Sequence, residues 1–147
     1  MIDRSTDPAQ RSILLIDGGR EDALLMEDQF RRDDVAANLY FVADGEEAIE
    51  FLLRKDRYAD APRPALIFLD MKLAIAGGFE MLTMAKADQL LARIPIIVLT
   101  TSPDPDVQKA YSLHANCCVR KPSSPEELGR FVAFIRTFWL EMMTLPN

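Results

Sequence analysis

Five apolar residues, Ala65-Leu66-Ile67-Phe68-Leu69, run without a polar interruption and stop at Asp70. A strand with one solvated face alternates apolar with polar residues, so an unbroken run reads as a strand covered on both faces. In an open α/β sheet, ligands bind in the crevice at the carboxyl ends of the strands. An acid that closes a central strand is well placed for chemistry, and Asp70 is the first candidate functional residue.

The pattern recurs along the chain. Residues 12–16 form a second apolar run closed by Asp17 and the pair Gly18-Gly19, after which Glu21 to about Arg32 shows helical periodicity through Leu24, Leu25 and Phe30. Residues 39–42 make a short strand; Asp44 and Glu47 stand at N-cap and N3 of a helix with Ala48, Ile49, Leu52 and Leu53 on one face. A loop with Pro62 and Pro64 leads into the strand ending at Asp70, and Gly77-Gly78 punctuates the loop before a helix at about 79–87. Residues 94–99 form another apolar strand, ending in Thr100-Thr101-Ser102. Asp104-Pro105 pairs an N-cap with a proline at N1 for a helix running to about Leu113. A fifth strand at 117–120 is followed by Lys121-Pro122. Ser124-Pro125-Glu126-Glu127 then opens a last helix carrying Leu128, Phe131, Val132, Ile135, Phe138 and Trp139. Five β-loop-α units in this order indicate a doubly wound five-stranded parallel sheet with helices on both faces.

At 147 residues the chain has room for one domain, here 11–147 after a disordered lead at 1–10. Its net charge of −6 disfavours nucleic acid or an anionic membrane as a partner, and no basic run reverses this locally. No stretch reaches 18 apolar residues and the N-terminus is polar, so the expected location is cytoplasmic. Cys117 and Cys118 are adjacent and point to opposite faces of a strand, which suits free thiols better than a disulfide or a metal site.

Asp17, Asp70, Thr100 and Lys121 all stand at carboxyl ends of expected strands. In a sheet of order 2-1-3-4-5 the strands ending in Asp17 and Asp70 are neighbours, so the four groups converge in one cleft. Two nearby carboxylates repel, which favours a divalent cation or a cationic neighbour between them. Lys121 can offset charge on an added phosphoryl group, Thr100 can hydrogen-bond one of its oxygens, and an aspartate can itself accept phosphoryl as an acyl phosphate.

With these residues the chain resembles the receiver domain of two-component response regulators, whose fold is flavodoxin-like, with Asp70 at the phosphoacceptor position, Thr100 at the hydroxyl position and Lys121-Pro122 at the Lys-Pro motif. The segments Asp44-Gly-Glu-Glu-Ala48, Tyr58-Ala-Asp-Ala-Pro-Arg-Pro64 and Leu113-His-Ala-Asn-Cys117, with Phe138-Trp139-Leu140 and Leu145-Pro146, resemble the small phytochrome-associated members. The resemblance implies phosphoryl transfer to Asp70 from a histidine kinase, a bacteriophytochrome, with Mg²⁺ present, and an inward shift of Thr100 that repacks the surface of the fourth helix, fifth strand and fifth helix. It also implies a cis Lys121-Pro122 peptide, a stand-alone protein without an output domain, and chemistry limited to autocatalytic phosphoacceptance and autodephosphorylation.

The chain departs from the family at several positions. Receivers usually end the first strand with two acids, and the second binds the metal; here that second position is Gly18. Asp17, Asp70 and the backbone carbonyl of Lys72 remain as Mg²⁺ ligands, with waters or Glu21 filling in, so weakened metal affinity is expected. Ala74 replaces a proline, Gly77 an acidic or polar residue, and Cys118 the aromatic switch residue three before the lysine. The competing reading is a degenerate pseudo-receiver, a phosphorylation-independent interaction or dimerisation module. A phosphatase with Asp70 as nucleophile is disfavoured because Lys72 stands where such enzymes need a second acid. His114 has no second ligand in sequence and reads as structural, and Cys118 has only Arg120 nearby to lower its pKa. Phe134, Leu140, Met142, Met143 and Leu145 exceed what one buried helix face needs, and with the resemblance they imply a two-fold homodimer through the fourth helix, fifth strand and fifth helix.

Overall fold

The computed structural model describes residues 10–101, 106–142 and 144. Five parallel strands, β1 (Arg11–Ile16), β2 (Ala37–Val42), β3 (Leu66–Asp70), β4 (Ile96–Thr100) and β5 (Cys117–Arg120), form one sheet in the order β2-β1-β3-β4-β5. Five helices connect and cover them: α1 (Arg20–Arg32), α2 (Gly45–Leu53), α3 (Phe79–Ala87), α4 (Val107–Ser112) and α5 (Pro125–Phe134). This is the doubly wound arrangement expected from the sequence.

Burial explains why the strands carry no polar alternation. Leu14, Ile16, Ile67, Leu69, Ile96 and Val98 pack in one cluster with Phe51 of α2, Leu82 of α3 and Ala110 of α4. Their chain neighbours Ile13, Leu15, Leu66, Phe68, Ile97 and Leu99 pack on the opposite face with Phe30 of α1 and Phe131 and Val132 of α5. Successive strand residues point to opposite faces, and both faces are roofed, so both parities must be apolar. Cys117 joins the α1/α5 face and Cys118 the other, the opposed orientation expected of adjacent strand residues.

Several boundaries differ from the sequence reading. β2 starts two residues earlier because Ala37 and Asn38 pair with Arg11 and Ser12 of β1. β4 starts two residues later, at Ile96, after Pro95, which has no N–H to give to a ladder. Residues 1–9 of the expected lead and the Asp104-Pro105 cap lie outside the described residues. Both expected capping boxes form one residue out of register: Asp44 and Ser124 accept from the N–H groups of Glu47 and Glu127, but each glutamate reaches back one residue beyond the cap, to the N–H groups of Ala43 and Ser123.

Between β3 and α3 the chain makes a helical turn, Met71–Leu73, then kinks through Ala74–Gly78, where Gly77 takes φ +124°. Beyond α5 the helix continues as a π-helical segment, Ile135–Met142, and Arg136 donates to the Asp33 carbonyl at the far end of α1, at 2.9 Å. This winding corrects one expectation: Leu140 packs against the α1/α5 core rather than standing exposed, whereas Phe134 and Met142 are exposed. Met143 and Leu145 lie outside the described residues. Among the described residues no helix is long and apolar enough to cross a membrane.

Candidate functional site

β1 and β3 are paired with Ile16 opposite Leu69, so the next residues, Asp17 and Asp70, come together at the carboxyl edge of the sheet. The Gly19 N–H donates to Asp17 Oδ1 at 2.9 Å and orients that carboxylate. Lys121 arrives from the other side: its N–H donates to the Thr100 carbonyl at 2.8 Å, extending the β4–β5 pairing by one residue. Its Nζ lies 3.1 Å from Asp17 Oδ2, 3.1 Å from Asp22 Oδ2 and 3.6 Å from Asp70 Oδ1. Asp17, Asp70 and Thr100 are buried, while the Asp22 side chain is 53% exposed at the lip.

The electrostatics follow from this geometry. Burial raises the Asp70 pKa above the usual carboxylate value; the Lys121 ammonium opposes the rise and the Asp17 carboxylate adds to it. For Lys121 burial acts downward, but the hydrogen bond and charge of Asp17, with Asp22 and Asp70, outweigh it and hold the ammonium above its ordinary value. Three carboxylates share one ammonium, so negative charge remains in excess. The Thr100 hydroxyl donates to the Thr101 carbonyl at 2.9 Å.

The structure thus brings together Asp17, Asp70 and Lys121 and sets Thr100 at the end of the neighbouring strand. Lys72 lies in the helical turn directly after Asp70. Glu21 is exposed on the first turn of α1, and Asp22, one residue on, faces the site instead. Asp22 was not foreseen: an acid in the first turn of a helix reads as a partner of the helix dipole. Its one sequence signal is its place one helical turn beyond the Asp17-Gly-Gly strand tip.

Gly18 provides only backbone, yet space does not require a glycine there. A Cβ at this position would make ordinary contacts, 3.5 Å from the Ala43 carbonyl oxygen and 3.6 Å from Leu73 Cδ2. The donors available to a metal are carboxylate and carbonyl oxygens, which suit a hard divalent cation. Among the described residues no group of three or more His, Cys, Asp or Glu side chains is arranged to hold one. By the chemistry of its donors, the pair Asp17 and Asp70 suits such a cation, with water needed to complete its coordination.

Two further positions are settled locally. Cys118, at the expected switch position, donates its backbone N–H to the Tyr111 hydroxyl of α4 at 3.0 Å. His114 takes φ +73° and donates its backbone N–H to the Tyr111 carbonyl, closing the end of α4. Beside the acids a groove of about 410 Å³ runs between α1 and the start of α5, with Leu25, Met26, Pro122 and Leu128 among its lining residues.

A doubly wound sheet with two strand-end aspartates facing a lysine is the arrangement this chain presents. Residues 13–133 match the response regulator receiver domain, and the chain belongs to that family. It is 37% identical to the response regulator Rcp1 of Synechocystis sp. over 99% of both chains. The Mn²⁺-bound crystal structure of Rcp1 superposes with a TM-score of 0.82, covering 93% of this chain and 99% of that one. The phosphorylated cyanobacterial phytochrome response regulator RcpA, 36% identical, superposes with a TM-score of 0.85 over 95% of this chain and 100% of its own. The bacteriophytochrome response regulator RtBRR is 29% identical, with a TM-score of 0.70 over 94% of this chain and 85% of its own.

Proposed function

We propose that this chain is a phytochrome-type response regulator that accepts a phosphoryl group on Asp70 from a histidine kinase, a bacteriophytochrome, and signals through a protein-protein surface. The observation that carries the reading is the Lys121 ammonium set among Asp17, Asp22 and Asp70 at the strand ends. Phosphorylated RcpA and RtBRR, among the relatives, support the kinase class.

The reaction asks for positioning and charge rather than new covalent machinery. A carboxylate oxygen of Asp70 forms a bond to phosphorus while the bond from phosphorus to the histidine nitrogen breaks; the electron pair leaves with the imidazole, and an acyl phosphate remains. Lys121 donates to the phosphoryl oxygens, and the Thr100 hydroxyl turns from the Thr101 carbonyl to do the same. Mg²⁺, when bound by Asp17, Asp70 and the Lys72 carbonyl, supplies neutralisation of the added charge. The groove between α1 and α5 gives the donor kinase a seat beside Asp17, Asp22 and Lys121. A two-fold homodimer through α4, β5 and α5 is part of the proposal, supported by the exposure of Tyr111, Phe134 and Met142.

Incubation with acetyl phosphate and Mg²⁺, read by intact mass, is expected to add one phosphoryl group to the wild type and none to Asp70→Asn. Gly18→Asp, for which the backbone has room, is expected to lower the Mg²⁺ concentration needed. No modification at millimolar Mg²⁺, with a phosphorylated kinase also tried, would give the protein to the second reading, a phosphorylation-independent interaction module. The missing carboxylate at Gly18 is the observation that favours that alternative.

A further inference from the structure

Lys121 has three N–H donors, and in this structure three carboxylates surround them. The two short approaches are to Asp17 and Asp22, each at 3.1 Å; Asp70 is the distant one, at 3.6 Å. The ammonium therefore leans toward Asp17 and Asp22, away from the group that would be modified. Gly19 makes room for this. A Cβ there would lie 3.2 Å from Asp22 Oδ2 and 3.3 Å from Asp17 Oδ1, crowding both carboxylates.

We infer that Asp22 is a positioning residue that holds Lys121 in the unphosphorylated protein and competes with the phosphoryl group for it. The inference rests on the phosphoacceptor reading above and adds a residue to it. A phosphoryl group on Asp70 brings further negative charge and three strong acceptor oxygens. The Asp70 carboxylate is itself consumed in the acyl phosphate, and Lys121, held at 3.1 Å by Asp17 and Asp22, moves toward the new oxygens only by loosening one of those two contacts. The Asp17 side chain is 5% exposed and is fixed in the cleft by the Gly19 N–H, so it cannot turn out to water. The Asp22 side chain is 53% exposed and rehydrates where it stands, so it is the partner that lets go. Its carboxylate also repels the incoming charge, so both effects act in one direction.

The test measures beryllofluoride affinity by ¹⁹F NMR at saturating Mg²⁺, which removes any difference in metal binding, and the lifetime of the acyl phosphate by intact mass. Asp22→Asn is expected to bind beryllofluoride roughly five-fold more tightly, the worth of an exposed ion pair, and to lose phosphoryl more slowly. Asp22→Glu restores the charge and is expected to move both values back toward wild type. A purely structural role in the first turn of α1 would lower the melting temperature of Asp22→Asn without tightening the ligand. Unchanged or weaker binding by a folded Asp22→Asn, beside a wild type that binds, overturns the inference alone. A wild type that takes up no beryllofluoride overturns the phosphoacceptor reading and this inference with it.

Discussion

Glu47 serves more than its helix. Its carboxylate accepts from the Ala43 N–H, the Arg57 guanidinium and the Tyr58 hydroxyl. Burial acts to raise its pKa, but these donors outweigh burial and hold Glu47 below its ordinary value. The same contact works the other way on the phenol: burial, then the hydrogen bond and charge of Glu47, push Tyr58 from 10.0 up to about 12. Between those two values the native protein keeps a proton that the unfolded chain has lost, so stability falls as pH rises through the window. Absorbance titration is expected to show one of the three tyrosines ionising near pH 12, a transition missing in Tyr58→Phe. A Tyr58 transition near its ordinary value of 10.0 would remove Glu47 as a cause. Asp70, Asp17 and Lys121 were legible because each closes a strand whose apolar run is plain in the sequence. Asp22 and the Glu47–Tyr58 pair were not, because helix and loop residues reveal their facing partners only once the chain is folded.

The β3–α3 connection shows what an element asks of single positions. Gly78 lies where a Cβ would come 2.8 Å from the Leu73 carbonyl oxygen and 3.0 Å from Leu69 Cδ1, and Gly45, opening α2, packs directly against it. Neither neighbour can yield easily, since one is backbone and the other belongs to a fully buried residue. Gly78→Ala is expected to cost about 1–3 kcal/mol of stability, seen as a lower urea midpoint with an unchanged slope. An unshifted midpoint would mean that the loop relaxes at no cost. Runs of strand and helix were readable from periodicity because apolar spacing reports directly on burial. The π-helical segment was not: with hydrogen bonds reaching one residue further, each residue turns through a smaller angle, and Leu140 comes round to the core side.

At the scale of the whole molecule, the last helix presents an aromatic residue and a methionine to solvent. Phe134 stacks on Phe138 with ring centroids 5.3 Å apart, and Phe134 and Met142 are 48% and 71% exposed. The proposed dimer would cover them. Sedimentation velocity is expected to show a dimer at micromolar concentration and a monomer for Phe134→Asp, with the melting temperature of the monomer little changed. A wild type that stays monomeric at high concentration would refute the dimer while leaving the chemistry of Asp70 untouched. One continuous helix joins the two regions. It begins at Pro125, a few residues after Lys121, and runs to Met142, with its second half tied to α1 through Arg136. At roughly 1.5 Å per residue its α-helical first part, Pro125–Phe134, is about 15 Å long, and the π-helical part extends it. Pivoted near the Arg136 tie, such a rod would act as a lever: a tilt of about five degrees moves its start, about 15 Å from the pivot, by roughly 1.3 Å and its far end by less, in the opposite direction. That displacement is comparable to the helix shifts that switch subunit interfaces, so a small movement of one lysine could be felt by a neighbouring protein that never touches the acid.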